Sequence, residues 1–286
     1  MTNDPPPNRS AALVLNPRAG RLSRLEDPCG QIVAAMAEAG LRLVADPAPE
    51  LAFDAQLERA LAAHPEVLVV AGGDGTIAAC IPALIGGDIL LAPLPGGTMN
   101  RVTERLGLPD DPIAAVAALG RARAGRLDVG EMNGRFFLYQ SIIGTPARLG
   151  RFREMQRQDG AWWPLLVAAL RALLRPPGRS LAAGFGTPRQ RIRARTIVVT
   201  VPPGRGANLL TEAVLRETPL RRLRQMRDWI RGRLRDNADV LAVESDSVVV
   251  TGPTAALRLT LDGEVTIAPP PLRFRLRRGA VRVLRP

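Results

Sequence analysis

The chain has 286 residues, of which 46% are hydrophobic and 23% charged, and this globular composition over such a length favours two domains. The net charge is +12 and all 39 basic residues are Arg, which excludes chemistry that depends on a Schiff-base lysine or a Walker-type lysine. A positive excess attracts nucleotides, anionic lipid surfaces and nucleic acid, and charge alone does not choose among them.

The two cysteines and the chain start indicate the compartment. Cys29 and Cys80 lie far apart, outside any CxxC pattern and without a His cluster, which argues against a disulfide framework or a zinc site and favours an intracellular protein. Residues 1–10 are predicted to be a disordered tail without an apolar signal core. No apolar stretch approaches the roughly 18 residues that span a bilayer, so we expect a soluble or peripheral protein.

The first 130 residues alternate between short apolar runs and segments of helical pattern. Gly40 is predicted to end the first helix, Asp54 to cap the second and Pro82 to kink or shorten the third. This alternation predicts a Rossmann-like parallel α/β domain, with helices covering the sheet. The predicted strands are 11–15, 41–45, 67–71 and 88–92, and the predicted helices are 29–40, 54–64, one after Thr76 and one from about Met99.

Three of these four strands end in loops of turn-forming residues: "NPRAG" (16–20), "GGDGT" (72–76) and "PLPGGTMN" (93–100). In a parallel sheet the ligand binds outside the carboxyl ends of the strands, where glycine lets the backbone approach it and helix N-termini offer amides to anions. The loops therefore predict a phosphate cradle. Asp74 would repel bare phosphate, which indicates a Mg²⁺ ion between the acid and the phosphates of a nucleotide.

Near the C-terminus, the alternating runs "LRLTL" and "EVTIA" flank Asp262-Gly263, a strong signal for a β-hairpin. This places Glu264 at the hairpin tip, where it can reach into a cleft. The alternative is that Asp262 and Glu264 are solvated turn residues.

Two further segments have amphipathic patterns. Residues 160–175 begin with Trp162 and Trp163, and they suit either a helix bordering a lipid cleft or a buried core helix. Residues 221–235 are strongly basic and helical in pattern, which suits either a solvated surface helix or one attracted to anionic lipid headgroups.

The three loops resemble motifs of the diacylglycerol kinase catalytic-domain family, which includes sphingosine and ceramide kinases and bacterial lipid kinases. The resemblance continues through residues 126–144 and 259–286, and so covers most of the chain. The GGDGT motif is shared with NAD kinases, but the Gly-Thr-x-Asn loop and the terminal Asp-Gly-Glu resemble the lipid kinases more closely.

The resemblance implies a nucleotide-binding α/β domain at 11–127 and a β-rich, sandwich-like lipid-substrate domain at 128–276, with the active site in the cleft between them. Residues 277–286 are expected to return to the first domain. The implied activity is that of a lipid kinase, which transfers the γ-phosphoryl group of ATP, with Mg²⁺, to the hydroxyl of a diacylglycerol-like or sphingoid lipid.

The resemblance also implies roles for individual residues. Asp74 matches a catalytic and metal-binding position, Asp128 an acidic position of the active-site network at the domain junction, and Glu264 the proposed general base. The positions that match nucleotide binding are Asn16, Gly72, Gly73, Asp74, Gly75, Thr76, Gly97, Thr98 and Asn100, and we add Arg101.

The sequence departs from the family pattern at two places. Arg101 stands where most members carry an acid after Gly-Thr-x-Asn; an Arg cannot bind Mg²⁺, but it can contact phosphate or pair with Asp74 or Asp128. We therefore hypothesise that Arg101 replaces part of the cation charge. Ala207-Asn208 stands where an Asp-Gly pair is usual, so we predict no structural metal there.

Three other functions remain open. They are an NAD-kinase-like enzyme acting on a soluble substrate, a non-catalytic relative that binds nucleotide or lipid, and nucleic-acid binding, which we do not expect because aromatic content is 3%. The expected partners are nucleotide, a lipid at an anionic membrane surface and a second copy of the chain in a homodimer. The expected location is cytoplasmic, peripheral to the inner face of the membrane. The sequence does not specify the lipid, the assembly or the regulation.

Overall fold

The computed structural model describes residues 8–144, 180–186, 191–202, 207–215 and 236–286, together with Arg221, Arg224 and Asp228. The predicted amphipathic segment at 160–175 and all but three residues of the basic segment at 221–235 lie outside the described residues. The chain forms two compact units, one of residues up to Val129 with Arg278–Pro286 and the other of Gly130–Arg277.

The first unit is built on a parallel sheet. Its strands lie in the order β2, β1, β3, β4. The strands are β1 (Arg9–Leu15), β2 (Leu41–Leu43), β3 (Val67–Gly72) and β4 (Leu90–Pro95), and the helices are α1 (Pro28–Glu38), α2 (Phe53–Ala62), α3 (Asp74–Leu84), α4 (Arg101–Arg105) and α5 (Pro112–Gly120). Strand β3 is buried along its whole length, as expected for a strand covered on both faces. The predicted parallel α/β domain is confirmed.

Capping and glycine patterns in the sequence predicted some helix ends correctly and others wrongly. Gly40 follows α1 with a φ of +73°, the left-handed conformation expected of a residue that ends a helix. The predicted cap at Asp54 is wrong: the N-cap is Ala52, and Asp54 lies in the first turn because the helix starts at Phe53. Helix α3 starts at Asp74, before the predicted point, and accommodates Pro82 in its last turn.

The second unit is β-rich, as predicted. Strands β5 (Arg123–Met132) and β16 (Leu272–Arg285) contribute to both units. The C-terminal part of β16 lies parallel to β4, with Val283 opposite Leu91. The remaining strands are β6 (Arg135–Phe137), β7 (Gln140–Gly144), β8 (Leu181–Phe185), β9 (Arg191–Ala194), β10 (Thr196–Thr200), β11 (Leu209–Val214), β12 (Val240–Ser245), β13 (Ser247–Thr251), β14 (Leu257–Leu261) and β15 (Glu264–Ala268).

Two antiparallel sheets enclose the core of the second unit. One runs β16, β13, β8, β9 and the other runs β12, β11, β10, β7, β14, β15. Alternate residues of both sheets point into a shared core, in which the rings of Phe137 and Phe274 meet edge to face at 6.1 Å. Among the described residues, no helix is long and apolar enough to cross a membrane.

Candidate functional site

The three glycine-containing loops follow β1, β3 and β4 of the first unit, and hydrogen bonds join them. The Asn16 amide donates to the carbonyl of Ala71 at 2.9 Å, and its side-chain Nδ2 donates to Thr76 Oγ1 at 3.4 Å. The Gly96 amide donates to the carbonyl of Gly72 at 2.9 Å. The predicted convergence of these loops is therefore present in the structure.

Two glycine pairs, Gly72-Gly73 and Gly96-Gly97, pack backbone against backbone, and we call these four residues the glycine junction. A Cβ on Gly97 would lie 2.6 Å from the Cα of Gly73, and a Cβ on Gly96 would lie 2.8 Å from the Cα of Gly72. A Cβ on Gly72 would also meet the Thr76 side chain at 2.6 Å. Gly96 and Gly97 need to be glycine because the two loops approach each other more closely there than a side chain allows, and Gly72 needs to be glycine because of the Thr76 side chain.

Asn100 anchors the loop after β4. Its φ of +49° is left-handed, a conformation that Asn tolerates better than most residues, and its Oδ1 accepts the Gly97 amide at 2.8 Å. The residue is only 2% exposed, and its Nδ2 has no hydrogen-bond partner in the part of the chain that the structure describes. A buried amide donor without a partner is costly unless a further group accepts from it.

Asp74 joins the two loops through its carboxylate. Oδ2 accepts the amide of Arg101 at 3.1 Å and Oδ1 accepts the amide of Val102 at 2.9 Å, so Asp74 binds the first turn of α4. Arg101 thus contacts Asp74 through its backbone. Its guanidinium lies 3.9 Å from Glu104, an exposed pair that contributes little.

The described residues include no cluster of three or more His, Cys, Asp or Glu side chains that would cage a metal ion. Mg²⁺ at phosphate sites commonly takes only one or two carboxylates, together with phosphates and waters. Asp74 fits this pattern, because each carboxylate oxygen accepts one amide at the hydrogen bonds described and has further acceptor capacity.

A cavity of about 300 Å³ lies beside the first loop. Asn16, Pro17 and Arg18 form one side of it, and Phe53 and Gln56 of α2 lie among its other lining residues. Gln56 is buried, and its Oε1 accepts the Leu15 amide at 3.0 Å, which ties α2 to the end of β1. The cavity gives the loop after β1 room for a small polar ligand.

Asp128 lies on β5, apart from these loops in the sequence, and holds a turn in β16. Its Oδ1 accepts the Gly279 amide at 2.6 Å, and the Arg126 guanidinium donates to the Gly279 carbonyl at 3.0 Å. Gly279 has a φ of +53°. Asp128 therefore stabilises the turn at Gly279, and its predicted catalytic role stays a prediction.

Glu264 belongs to the second unit, at the start of β15. The predicted hairpin is present: Leu261 pairs with Glu264 across a two-residue turn, with φ of +48° at Asp262 and +95° at Gly263. Glu264 is exposed, and its predicted role as the base stays a prediction.

Asp262 forms the predicted turn and also makes long-range hydrogen bonds that the sequence did not predict. Its carboxylate accepts three successive backbone amides, from Leu138 at 2.6 Å, Tyr139 at 2.8 Å and Gln140 at 2.9 Å. Its own amide donates back to the Gln140 carbonyl. Asp262 therefore fixes the hairpin that carries Glu264, and it is more than a solvated turn residue.

In this chain, a parallel α/β unit with glycine-containing loops is combined with a β-rich second unit. Residues 10–132 match the family model described as the diacylglycerol kinase catalytic domain. The resemblance found in the sequence is thus confirmed. The matched range includes all three loops, with Asn16, the glycine junction, Asp74 to Thr76 and Thr98 to Arg101.

Curated relatives resemble part of the chain. "Probable lipid kinase YegS-like" of Pseudomonas aeruginosa PAO1 is 40% identical over 95 residues, which cover 32% of this chain and 31% of the relative. The "Diacylglycerol kinase" of Staphylococcus carnosus is 31% identical over 134 residues, 46% of this chain and 43% of the relative. The chain therefore matches about a third to a half of the length of these relatives.

Structural similarity extends further than sequence similarity. A crystal structure of a diacylglycerol kinase from Bacillus anthracis strain Sterne superposes with a TM-score of 0.70, covering 98% of this chain and 97% of that one. Sequence identity is 20%, so the comparison supports the fold of both units and carries no argument about the reaction.

Proposed function

We propose that this chain is an ATP-dependent lipid kinase that transfers the γ-phosphoryl group to the hydroxyl of a diacylglycerol-like or sphingoid lipid. The observation that carries the proposal is the buried Nδ2 of Asn100, a donor without a described partner beside the glycine junction. A phosphate oxygen is a strong acceptor for such a donor, and its charge strengthens the hydrogen bond.

The first unit supplies the groups that bind the nucleotide. In the glycine junction the two loops pack closely, and the amides of Gly96 and Gly97 already donate to Gly72 and Asn100. The phosphates of ATP would therefore be bound by Asn100 Nδ2 and by the other amides of these loops. Asp74 would hold a Mg²⁺ ion, which supplies positive charge to the phosphates when it is bound. Asn16 and Thr76 bind each other across the first two loops and keep their polar groups at the same edge of the sheet.

The second unit supplies the proposed base. The attacking lipid hydroxyl must lose its proton as it bonds to phosphorus, and the Glu264 carboxylate is the group we propose to accept that proton. Asp262 holds the hairpin turn through three amides, which limits the positions that Glu264 can take.

The choice of a lipid acceptor is supported by the relatives named as lipid kinases and diacylglycerol kinases, and by the family model that matches residues 10–132. A lipid acceptor requires the protein to work peripherally at a membrane, and we propose the cytoplasmic face. The NAD-kinase-like and non-catalytic alternatives gain no specific support from the geometry.

Substitution of Asn100 by Asp tests the proposal. Asp keeps the oxygen that accepts the Gly97 amide and tolerates a positive φ, but it removes the unpartnered donor and adds negative charge. We expect the affinity for ATP, measured by isothermal titration calorimetry, to fall by about 100-fold.

Asn133→Asp is the matched control, because Asn133 also has a φ of +49° but hydrogen bonds to Pro271 and Arg273 in the second unit. We expect it to leave ATP affinity unchanged. A thermal melt of both variants shows whether either loses the fold. A folded Asn100→Asp variant that binds ATP as tightly as the wild type would contradict the proposal.

A further inference from the structure

The outer face of one sheet in the second unit is a basic surface. Strand β16 alternates, with Leu272 and Phe274 buried and Arg273, Arg275 and Arg277 exposed. Strand β9 alternates in the same way, with Arg191 and Arg193 exposed. We call the five arginines and the residues between them the arginine face.

The register places the two rows of arginines on either side of a floor of small residues. Arg191 lies opposite Gly184, Gly184 opposite Val249, and Val249 opposite Arg273. Three strand spacings separate the outer strands, so the rows are roughly 14 Å apart. A shallow groove of about 330 Å³ runs over this floor, and a Cβ on Gly184 would meet nothing within 4 Å.

Within the described part of the chain, most of this positive charge has no acidic partner. Arg275 and Arg277 share the carboxylate of Glu131, which is 8% exposed. Arg191, Arg193 and Arg273 make no side-chain ion pair with any residue that the structure describes, and the four strands of this sheet contain no Asp or Glu. Among the described residues, the five cations therefore have one acidic partner, the buried carboxylate of Glu131.

Protection of the sheet edge does not explain this pattern. Arginine on an edge strand discourages unwanted pairing, and β9 is the edge of its sheet. Strand β16 pairs with β5 as well as with β13, so it is not an edge strand, and it still exposes Arg273, Arg275 and Arg277. The arginines of β16 therefore require another reason.

The floor also indicates which polyanion the surface suits. Phe185 and Phe274 point into the core, so the described residues of the outer face offer no aromatic ring for a nucleic-acid base to stack on. Two rows of arginine, spread over one sheet face on either side of a floor of Ala, Gly, Ser, Val and Thr, suit many separate headgroups better than one small anion. A bilayer that contains anionic lipids presents its phosphates in this way.

We propose that the arginine face docks the protein on the surface of an anionic phospholipid bilayer. This inference rests on the proposed function, because a lipid kinase must meet its acceptor in a bilayer. It adds to that function the part of the molecule that makes the contact.

Vesicle sedimentation without nucleotide tests the docking surface. Phosphatidylcholine vesicles with and without phosphatidylglycerol are mixed with the full chain, and we expect binding only to the anionic vesicles, weakening as NaCl is raised above 0.1 M, where the Debye length is about 10 Å. Because each arginine near a membrane contributes roughly fivefold to partitioning, Arg191→Gln with Arg193→Gln should weaken binding by about 25-fold.

Two controls separate local contact from total charge. Arg42→Gln with Arg59→Gln removes the same two positive charges from exposed positions of the first unit and should change binding by less than about twofold. Gly184→Glu puts negative charge on the open floor without a steric clash and should weaken binding, whereas Gly184→Gln, of the same size, should weaken it far less.

The outcomes separate docking from catalysis. Equal loss in both pairs of arginine variants, or no loss in either, would overturn the arginine face, as would binding to duplex DNA in place of vesicles. Vesicle binding that depends on Arg191 and Arg193 without phosphorylation of any lipid would support the docking surface and contradict the kinase. Phosphorylation of lipid in vesicles at the wild-type rate by the Arg191→Gln, Arg193→Gln variant would support the kinase and overturn the docking surface.

Discussion

Asp74 and Asp262 perform the same physical task at different places in the chain. Each carboxylate accepts successive backbone amides of a loop that is distant in sequence: Asp74 binds Arg101 and Val102, and Asp262 binds residues 138–140. Hydrogen bonds to a charged acceptor are stronger than neutral ones. Both acids therefore organise the loops that carry the proposed chemistry, in addition to any contact with the reactants.

Glu131 gives a prediction about acid stability. Its pKa is lowered from 4.5, mainly by hydrogen bonds from Arg275, with burial opposing and Arg277 assisting. A carboxyl group whose pKa is lower in the folded than in the unfolded state stabilises the fold fully above its unfolded pKa. This stabilisation is lost as the pH falls through the folded pKa.

We expect Glu131→Gln to unfold in less urea than the wild type at pH 7. The difference should shrink as the pH falls below 4.5 and be nearly absent when the wild-type Glu131 is protonated. Urea titrations followed by circular dichroism over this pH range measure it. A difference that is constant with pH would show that the loss comes from packing alone.

At the scale of elements, the close approach of the loops after β3 and β4 is the feature most sensitive to substitution. Gly97→Ala would place a methyl group 2.6 Å from the Cα of Gly73, backbone that cannot move aside easily. We expect the free energy of unfolding to fall by about 2 kcal/mol, and ATP affinity to fall by at least about tenfold as the loops separate.

Gly184→Ala is the matched control, since its Cβ meets open space in the second unit. It should change the free energy of unfolding by less than about 0.5 kcal/mol and leave ATP affinity unchanged. Thermal melts and calorimetry measure both quantities. An unaffected Gly97→Ala variant would mean that the glycine junction is looser than the structure indicates.

These elements also show how far local sequence signals reach. The β14–β15 hairpin and the end of α1 were predictable, because Asp262-Gly263 and Gly40 act on the backbone around them. The three bonds of the Asp262 carboxylate were not, because their partners are more than 120 residues away. The start of α2 at Phe53 was likewise missed, since Asp54 is a good cap by type but lies inside the helix.

At the scale of the whole molecule, the chain divides the proposed work between two units. The glycine junction, Asp74 and Asn100 belong to the first unit, and Asp262 and Glu264 belong to the second. Each unit has a buried core of its own strands. The resemblance to the diacylglycerol kinase family implied such a division, but the arginine face was not predictable, because it needs the register of four strands.

The most direct test of the proposed kinase is the transfer of radiolabelled phosphate from ATP into the organic phase, with the full chain, Mg²⁺ and mixed micelles of diacylglycerol or sphingoid lipid. We expect label in the lipid with the wild type. Glu264→Gln, at an exposed position, should bind ATP normally and lower kcat by about 100-fold or more. No label in any lipid, or an equal rate in the variant, would contradict the proposed mechanism.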